Sequence, residues 1–240
     1  MPFAKKPQVF SAKINELTLG TGDKAVTLGG QNVYNLYTFD GAYANAPKVG
    51  IDVSDSPEQP SEGLAAFYAG CETLADRAKK AASLENVDFV CIRFDLADPN
   101  GQNKSVEACV ADAKAVAEAV DKPLVVAGCK NIEKDAEIFS KVSEALQGRN
   151  ILVLSAKEEN YKGVAAGAGL AYGQKVGAES AVDINLAKQL NVLITQMGVD
   201  GHNVAMNVGS AAAGYGFEYV VSTLERVKAA ALSQNDATLQ

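Results

Sequence analysis

The strongest constraint on this chain is a repeated grammar, plainest in Pro123–Leu146, PLVVAGCKNIEKDAEIFSKVSEAL. Pro123 to Ala127 is a short, continuous apolar run, the pattern of a strand buried on both faces. Gly128-Cys129-Lys130 turns the chain. Asn131 then stands where a helix N-cap belongs, with Glu133 in the first turn to complement the helix dipole. Ile132, Ala136, Phe139, Val142 and Leu146 recur at helical spacing, and Gly148 stands where such helices end. A strand of that kind followed by a one-sided helix implies a parallel sheet for the helix to cover.

The same unit recurs along most of the chain. VGIDV (Val49–Val53) is the first such strand, followed by a Ser/Pro/Glu loop and a helix within Gly63–Ser83 carrying Leu64, Phe67, Cys71, Leu74 and Ala78 on one face. FVCIRFD (Phe89–Asp95) is the second, and ADPNG (Ala97–Gly101) is a turn by composition. The helix from about Ser105 stripes Val106, Cys109, Val110, Ala113, Ala117 and Val120. ILVL (Ile151–Leu154) precedes a Gly/Ala-rich helix over Asn160–Tyr172, in which Gly163 and Gly167 lie four apart, as close helix packing requires. A strand near Lys175–Ala178, a helix capped by Asp183 and stopped by Gly198, a strand at Asn203–Asn207 and a helix over Phe217–Leu232 complete the series.

The first forty-odd residues differ. Lys13–Leu19 and Ala25–Leu28 flank the turn Gly20–Asp23, a hairpin signal. The aromatic stretch Val33–Phe39 has apolar content of its own. We therefore divide the chain into an N-terminal hairpin or plug, residues 1–46, and a (β/α) domain, residues 47–240. Six strand-helix units in unbroken order predict parallel strands in sequential order with right-handed crossovers. The expected fold is α/β, a TIM (β/α)8-type barrel that is incomplete, with an N-terminal β-hairpin; the rival is an open doubly wound sheet. The chain ends at SQNDATLQ, where a seventh strand would begin, and no GxGxxG or GxxxxGK[ST] supports a nucleotide fold.

Composition narrows the class. A net charge of −7 and a pI near 4.9 argue against nucleic-acid and membrane-surface binding and suit a cytoplasmic protein. No run reaches membrane-spanning length. Cys71, Cys91, Cys109 and Cys129 are scattered without a CxxC, so buried, reduced thiols that bind no metal are expected.

In parallel α/β folds the working end is the C-terminal edge of the strands. The polar residues falling there are Asp52, Asp55, Asp95, Asp98, Lys130, Ser155, Glu158, Glu159, Asn160, Glu179, Ser180, Asp183, Asn207 and Ser210. This set is rich in acids and amides and poor in nucleophile-base pairs, and suits hydrogen bonding to a heterocycle or a corrin edge better than hydrolysis. Asp95, Asn160, Asp183 and Asn207 are the candidate binding residues of this edge; no catalytic residues and no metal ligands are assigned. Each has a plainer alternative. Asp183 suits a helix cap, Asp98 an Asx-turn, Glu158 and Glu159 a solvated first turn, and Asp95 a structural hydrogen bond. The single histidine, His202, falls before the sixth strand, at the wrong end for catalysis, so a Ser-His-Asp triad is not expected. The Gly-rich loop Gly209–Gly216 before the last helix suits either an anion at a helix N-terminus or tight small-residue packing.

Several segments together carry a resemblance: ADPNG (Ala97–Gly101), PLVVAGC (Pro123–Cys129) with EKD (Glu133–Asp135), EENYK (Glu158–Lys162), DIN (Asp183–Asn185) with KQLN (Lys188–Asn191), and GYGFEY (Gly214–Tyr219) with LER (Leu224–Arg226). In this order and spacing the chain, from about Val49 to Leu232, resembles the small subunit of the corrinoid iron-sulfur protein, the delta-subunit family of acetyl-CoA decarbonylase/synthase. Members often have Asp-Pro where this chain has Asn207-Val208, and their barrel continues for two more strands.

The resemblance implies a (β/α)8 barrel that forms a heterodimer with a large subunit carrying a 4Fe-4S cluster and the cobalamin. This chain alone would bind no cofactor. It would cover the partner-held corrinoid while a methyl group passes from a methyl-tetrahydropterin to acetyl-CoA synthase, in the Wood-Ljungdahl route of carbon fixation. The methyltransferase and acetyl-CoA synthase would be transient partners, and the chain itself a non-catalytic subunit. The alternative is a pterin-binding methyltransferase barrel acting on a corrinoid protein. On the first reading, replacing Asp95 would impair methyl transfer or docking and leave the melting temperature nearly unchanged.

Overall fold

Alternating burial along the strands builds a six-stranded sheet with two differently used faces. The structure, a computed structural model, describes residues 8, 10–34 and 43–240. Strands β1 (Glu16–Leu19) and β2 (Val26–Gly29) form the predicted antiparallel hairpin, with Leu17 opposite Leu28 and Leu19 opposite Val26. The aromatic stretch after it, Val33–Phe39, falls largely outside the described residues.

Strands β3 (Gly50–Ser54), β4 (Phe89–Arg93), β5 (Leu124–Ala127), β6 (Leu152–Ala156), β7 (Lys175–Glu179) and β8 (Val204–Asn207) pair in parallel, in sequence order, with β3 and β8 as the edges. There is no order reversal, so the doubly wound alternative is not what the chain adopts. The register of β6 against β7 shifts between Val153 and Ala156.

One face carries the helices. Val53, Val90, Ile92, Val126, Val153, Val176 and Ala178 point to this side and form one cluster with Ala78, Val116, Phe139, Val164 and Leu190. The helices concerned are α2 (Leu74–Ala82), α3 (Val106–Ala119), α4 (Ile132–Ala145), α5 (Tyr161–Val164, continuing as a π-helical segment over Ala165–Leu170) and α6 (Ile184–Gln196). A final helix, α7 (Phe217–Ser233), contributes Val227 and Ala231 to a smaller cluster with Met206 and Leu239.

The sequence predicts one helix within Gly63–Ser83; two form instead. A short α1 (Glu62–Phe67) ends before Gly70, which sits at φ 81°, and Thr73 starts α2 with a capping box. Thr73 accepts from the Asp76 amide at 3.1 Å, and the Asp76 carboxylate accepts from the Thr73 amide at 3.0 Å. That reciprocal pair satisfies two backbone donors, which a continuous helix would not require. Elsewhere the caps are those expected: Asn131 accepts from Lys134 N at 3.0 Å and Asp183 from Asn185 N at 2.8 Å.

The other face of the sheet meets the hairpin. Leu17 and Leu19 pack with Val125 and Leu152, flanked by Phe89, Cys91, Leu154 and Ala205. The hairpin lies at the N-terminal end of the strands, because its anchors precede them in sequence. Asn150, two residues before β6, donates from Nδ2 to Thr18 O at 2.7 Å and Gly20 O at 3.0 Å, and the Gly20 amide returns a bond to Asn150 O at 2.9 Å. Gly20 sits at φ 73°, and a Cβ there would lie 2.7 Å from Cγ of Pro123, so this contact requires glycine. His202, also before its strand, places Nδ1 3.4 Å from Glu16 O on this side.

Cys109 and Cys129 are buried, and Cys71 and Cys91 are partly buried against the two clusters. Burial is the main cause holding the thiols of Cys91 and Cys109 up at about 12 and that of Cys129 at about 11. None of these three is ionised near neutrality.

Candidate functional site

With the hairpin against the N-terminal end, the hairpin-facing side of the sheet has polar groups at the other end, where the strands finish. Alternation along β4 puts Phe89, Cys91 and Arg93 on this inner face, since Phe89 and Cys91 already pack with the hairpin cluster. The strand register then sets Arg93 beside Ser54 on β3 and Ala127 on β5. One step toward the hairpin, Asp52 lies beside Cys91, which has Val125 on its other side.

These neighbours form a network. Arg93 Nε donates to Asp95 Oδ1 at 2.7 Å and Oδ2 at 2.8 Å, and Nη1 pairs with Asp52 Oδ2. Ser54 Oγ donates to Asp95 Oδ2 at 2.5 Å. Burial pushes the Asp52 carboxyl above its ordinary value; Arg93 opposes that shift and Asp95 adds to it. For Arg93, burial disfavours the charge, but hydrogen bonding to Asp95 and attraction by both carboxylates win, so its pKa is raised. The three side chains are between a third and a half exposed, so each ion pair contributes on the order of 0.2–1 kcal/mol to stability. What the network fixes is the orientation of the guanidinium.

The remaining strands finish the edge differently. Lys157, just past β6, pairs with Glu179 of β7 at 3.6 Å. Asn207 at the end of β8 donates from Nδ2 to Ser155 Oγ at 3.0 Å, reaching past β7, and its Oδ1 accepts from Gly209 N at 3.1 Å. Between these groups the inner face is lined by small or apolar residues, Ala127, Leu154, Gly177 and Ala205. A Cβ on Gly177 would lie 2.4 Å from Leu154 Cδ2, so the surface is tightly packed there.

Of the four candidates read from the sequence, the structure brings Asp95 and Asn207 to this edge, on strands far apart in the sheet. Asp95 is already engaged by Arg93 and Ser54. Asn160 is buried: its Oδ1 accepts from Lys157 N at 2.8 Å and its Nδ2 donates to Ile132 O at 3.2 Å, which ties the loop after β6 to the start of α4. Asp183 is exposed and its Oδ1 accepts from two amides at the start of α6. Asp98 forms the Asx-turn, accepting from Asn100 N at 2.9 Å. Asp55 is buried; its carboxylate accepts from Leu96 N and Lys104 Nζ, both at 3.0 Å.

Arg93, Ser54 and Lys157 were not among the candidates. Arg93 did leave a signal: it is the one charge inside the apolar run Phe89–Phe94, at the position alternation assigns to the face of Phe89 and Cys91.

The arrangement offers hydrogen-bond donors and acceptors around an apolar floor. Among the described residues no grouping of three or more His, Cys, Asp or Glu could hold a metal ion, and no helix is long and apolar enough to cross a membrane. The one thiol on this floor, Cys91, is held protonated. Such an edge can bind and orient a group presented to it.

The chain is similar to known proteins over nearly its whole length. A family described as CO dehydrogenase/acetyl-CoA synthase delta subunit matches residues 16–240. A relative from Methanothermobacter thermautotrophicus, named acetyl-CoA decarbonylase/synthase complex subunit delta, is 32% identical over 235 residues, covering 96% of this chain and 59% of that protein. Proteins of the same name from Methanopyrus kandleri and Archaeoglobus fulgidus are each 29% identical, over 219 and 239 residues, covering 54% and 53% of their own lengths. The chain thus spans little more than half the length of these relatives.

Proposed function

Because the chain belongs to the CO dehydrogenase/acetyl-CoA synthase delta subunit family, we propose that it is a non-catalytic subunit of an acetyl-CoA decarbonylase/synthase complex, working in the cytoplasm. In this reading its six strands are an arc of a TIM-type (β/α)8 barrel. The C-terminal edge of that arc covers a corrinoid held by a larger, cluster-bearing partner subunit. The corrinoid carries the methyl group between a methyl-tetrahydropterin and acetyl-CoA synthase, and this chain supplies the cover under which it is held.

The observation that carries the reading is the asymmetry of the inner face. The hairpin occupies its N-terminal end, and a mixed donor and acceptor rim surrounds an apolar floor at the other. A corrin presents an apolar ring edge and neutral amide side chains, each able to donate and accept. Arg93 and Asn207 can donate, Asn207 can also accept, and the floor can exclude water from the ring edge. His202 lies at the opposite end, so it is not placed to ligate cobalt from this edge.

The pterin-binding alternative fits less well. The amino-pyrimidine edge of a pterin donates adjacent N–H groups and needs a carboxylate with accepting capacity to spare. Asp95 already accepts from Arg93 through both oxygens and from Ser54, Asp52 accepts from Arg93, and Glu179 is paired with Lys157.

Two measurements on the purified chain separate the readings. Titration calorimetry with methyl-tetrahydropterin is expected to show no micromolar binding by this chain alone. Mixing with the corrinoid-loaded partner subunit is expected to perturb the corrinoid absorption spectrum and support methyl transfer. Micromolar pterin binding together with an unperturbed corrinoid spectrum would make the methyltransferase reading correct.

A further inference from the structure

Arg93 is the one guanidinium at the polar end of the inner face, and its geometry is unusually determined. Nε is held by both oxygens of Asp95, Nη1 by Asp52, and Ser54 braces Asp95 from the neighbouring strand. Among the described residues Nη2 has no hydrogen-bond partner, and the side chain is 36% exposed. A side chain on the surface ordinarily gives up orientation to entropy; here three neighbours have already fixed it. A preorganised donor gains more from a ligand than a floppy one, because little freedom remains to be lost on binding.

The charge balance narrows what that donor can take. One guanidinium against the carboxylates of Asp52 and Asp95 leaves the cluster at a formal charge of −1. Of the other cations along this edge, Lys157 faces Glu179, and Lys130, in the turn after β5, makes no ion pair with Asp52 or Asp95. A carboxylate or phosphate approaching Nη2 would therefore meet net repulsion, and a cation would meet the guanidinium itself. A neutral carbonyl oxygen accepts the hydrogen bond without either cost.

We propose that Arg93 is a binding residue of this edge, donating through Nη2 to a neutral amide carbonyl on the periphery of the covered corrinoid, with Asp52, Asp95 and Ser54 as the residues that position it. The proposal rests on the corrinoid-covering reading and adds to it the residue and the class of acceptor. It also assigns Asp95 a different part from that suggested by the sequence: Asp95 acts through Arg93.

The test is the affinity of the full chain for the partner subunit, measured with the partner corrinoid-free and then loaded with cobalamin. Cobalamin is expected to tighten the wild-type complex. Arg93→Met should remove most of that increment, about tenfold for one charge-assisted hydrogen bond of roughly 1.4 kcal/mol, and should leave affinity for the corrinoid-free partner unchanged. Arg93→Lys should not restore it, because an ammonium cannot keep the fork to Asp52 and Asp95. An arm that needs no variant loads the partner with the b-, d- and e-monocarboxylic acids of cobalamin. At least one of the three should weaken the wild-type complex severalfold, and Asp52→Asn, which brings the cluster to neutrality, should recover part of that loss.

A cobalamin-dependent increment that persists in folded Arg93→Met, or equal affinity for cobalamin and all three acids, would overturn the Arg93 assignment while leaving the covering role standing. No increment with wild type would overturn the covering role and this proposal together.

Discussion

Asp95 shows how one carboxylate serves both folding and recognition. As a residue ending an apolar strand it suits either ligand contact, with removal harmless to stability, or a structural hydrogen bond. The structure gives it the Arg93 fork and the Ser54 hydroxyl, and Ser54 lies 41 positions earlier in the chain. No local pattern announces that partnership, because it depends on the parallel register of β3 and β4. The caps are the contrast: Asn131 and Asp183 bond amides two or three residues ahead, so residue type and spacing were enough to find them. Asp95→Ala is therefore expected to cost about 1 kcal/mol, the value of charge-assisted bonds discounted for partial exposure. For a chain of this size that lowers the melting temperature by about 2–4 °C. Thermal unfolding of the isolated chain checks it, and an unchanged melting temperature would return Asp95 to the role of a free ligand-facing acid.

At the scale of elements, the sequence is most legible where a periodic pattern and its punctuation agree. All six parallel strands and the hairpin form where alternation or apolar runs place them, and Gly163 and Gly167 do approach a neighbouring helix. A Cβ on Gly163 would stand 3.4 Å from Cβ of Ala136, and one on Gly167 2.8 Å from Cβ and Oγ of Ser140, so both glycines face α4. What the pattern did not show is the break between α1 and α2. The apolar spacing runs through Gly70, whose positive φ follows the end of α1, and the Thr73 and Asp76 pair begins α2. The two contacts of α4 differ enough to make a paired prediction. Gly163→Ala meets ordinary contact and gains helix propensity, so its effect should stay within about 1 kcal/mol of zero. Gly167→Leu must displace α4 or the π-helical segment and should cost about 2–3 kcal/mol. Urea unfolding of both variants decides it; equal losses would mean that the two helices do not meet at Gly167.

For the molecule as a whole, the parallel sheet separates two tasks by strand polarity. The N-terminal end is closed by Leu17 and Leu19 on Val125 and Leu152, with Asn150 latching the hairpin from the loop before β6. The C-terminal end collects Arg93, Asp95, Lys157, Glu179 and Asn207, groups that the hairpin does not touch. This is the division expected of parallel α/β sheets, in which one end serves stability and the other function. It yields a prediction that neither end makes alone. Leu19 is fully buried, so Leu19→Ala should cost about 3 kcal/mol, from lost transfer energy and the cavity left behind. Below its lowered melting temperature, the folded variant should keep the wild-type response to a corrinoid-loaded partner. Arg93→Met should do the reverse, altering that response at a stability cost of about 1 kcal/mol, well below that of Leu19→Ala. Since the two residues share no partner, the double variant should show the sum of the two effects, within about 0.5 kcal/mol in unfolding free energy. Measuring unfolding and partner affinity across the four proteins tests the separation directly. A Leu19→Ala protein that is folded yet no longer responds to the loaded partner would show that the hairpin shapes the opposite edge through the sheet, and the two ends would have to be treated as one site.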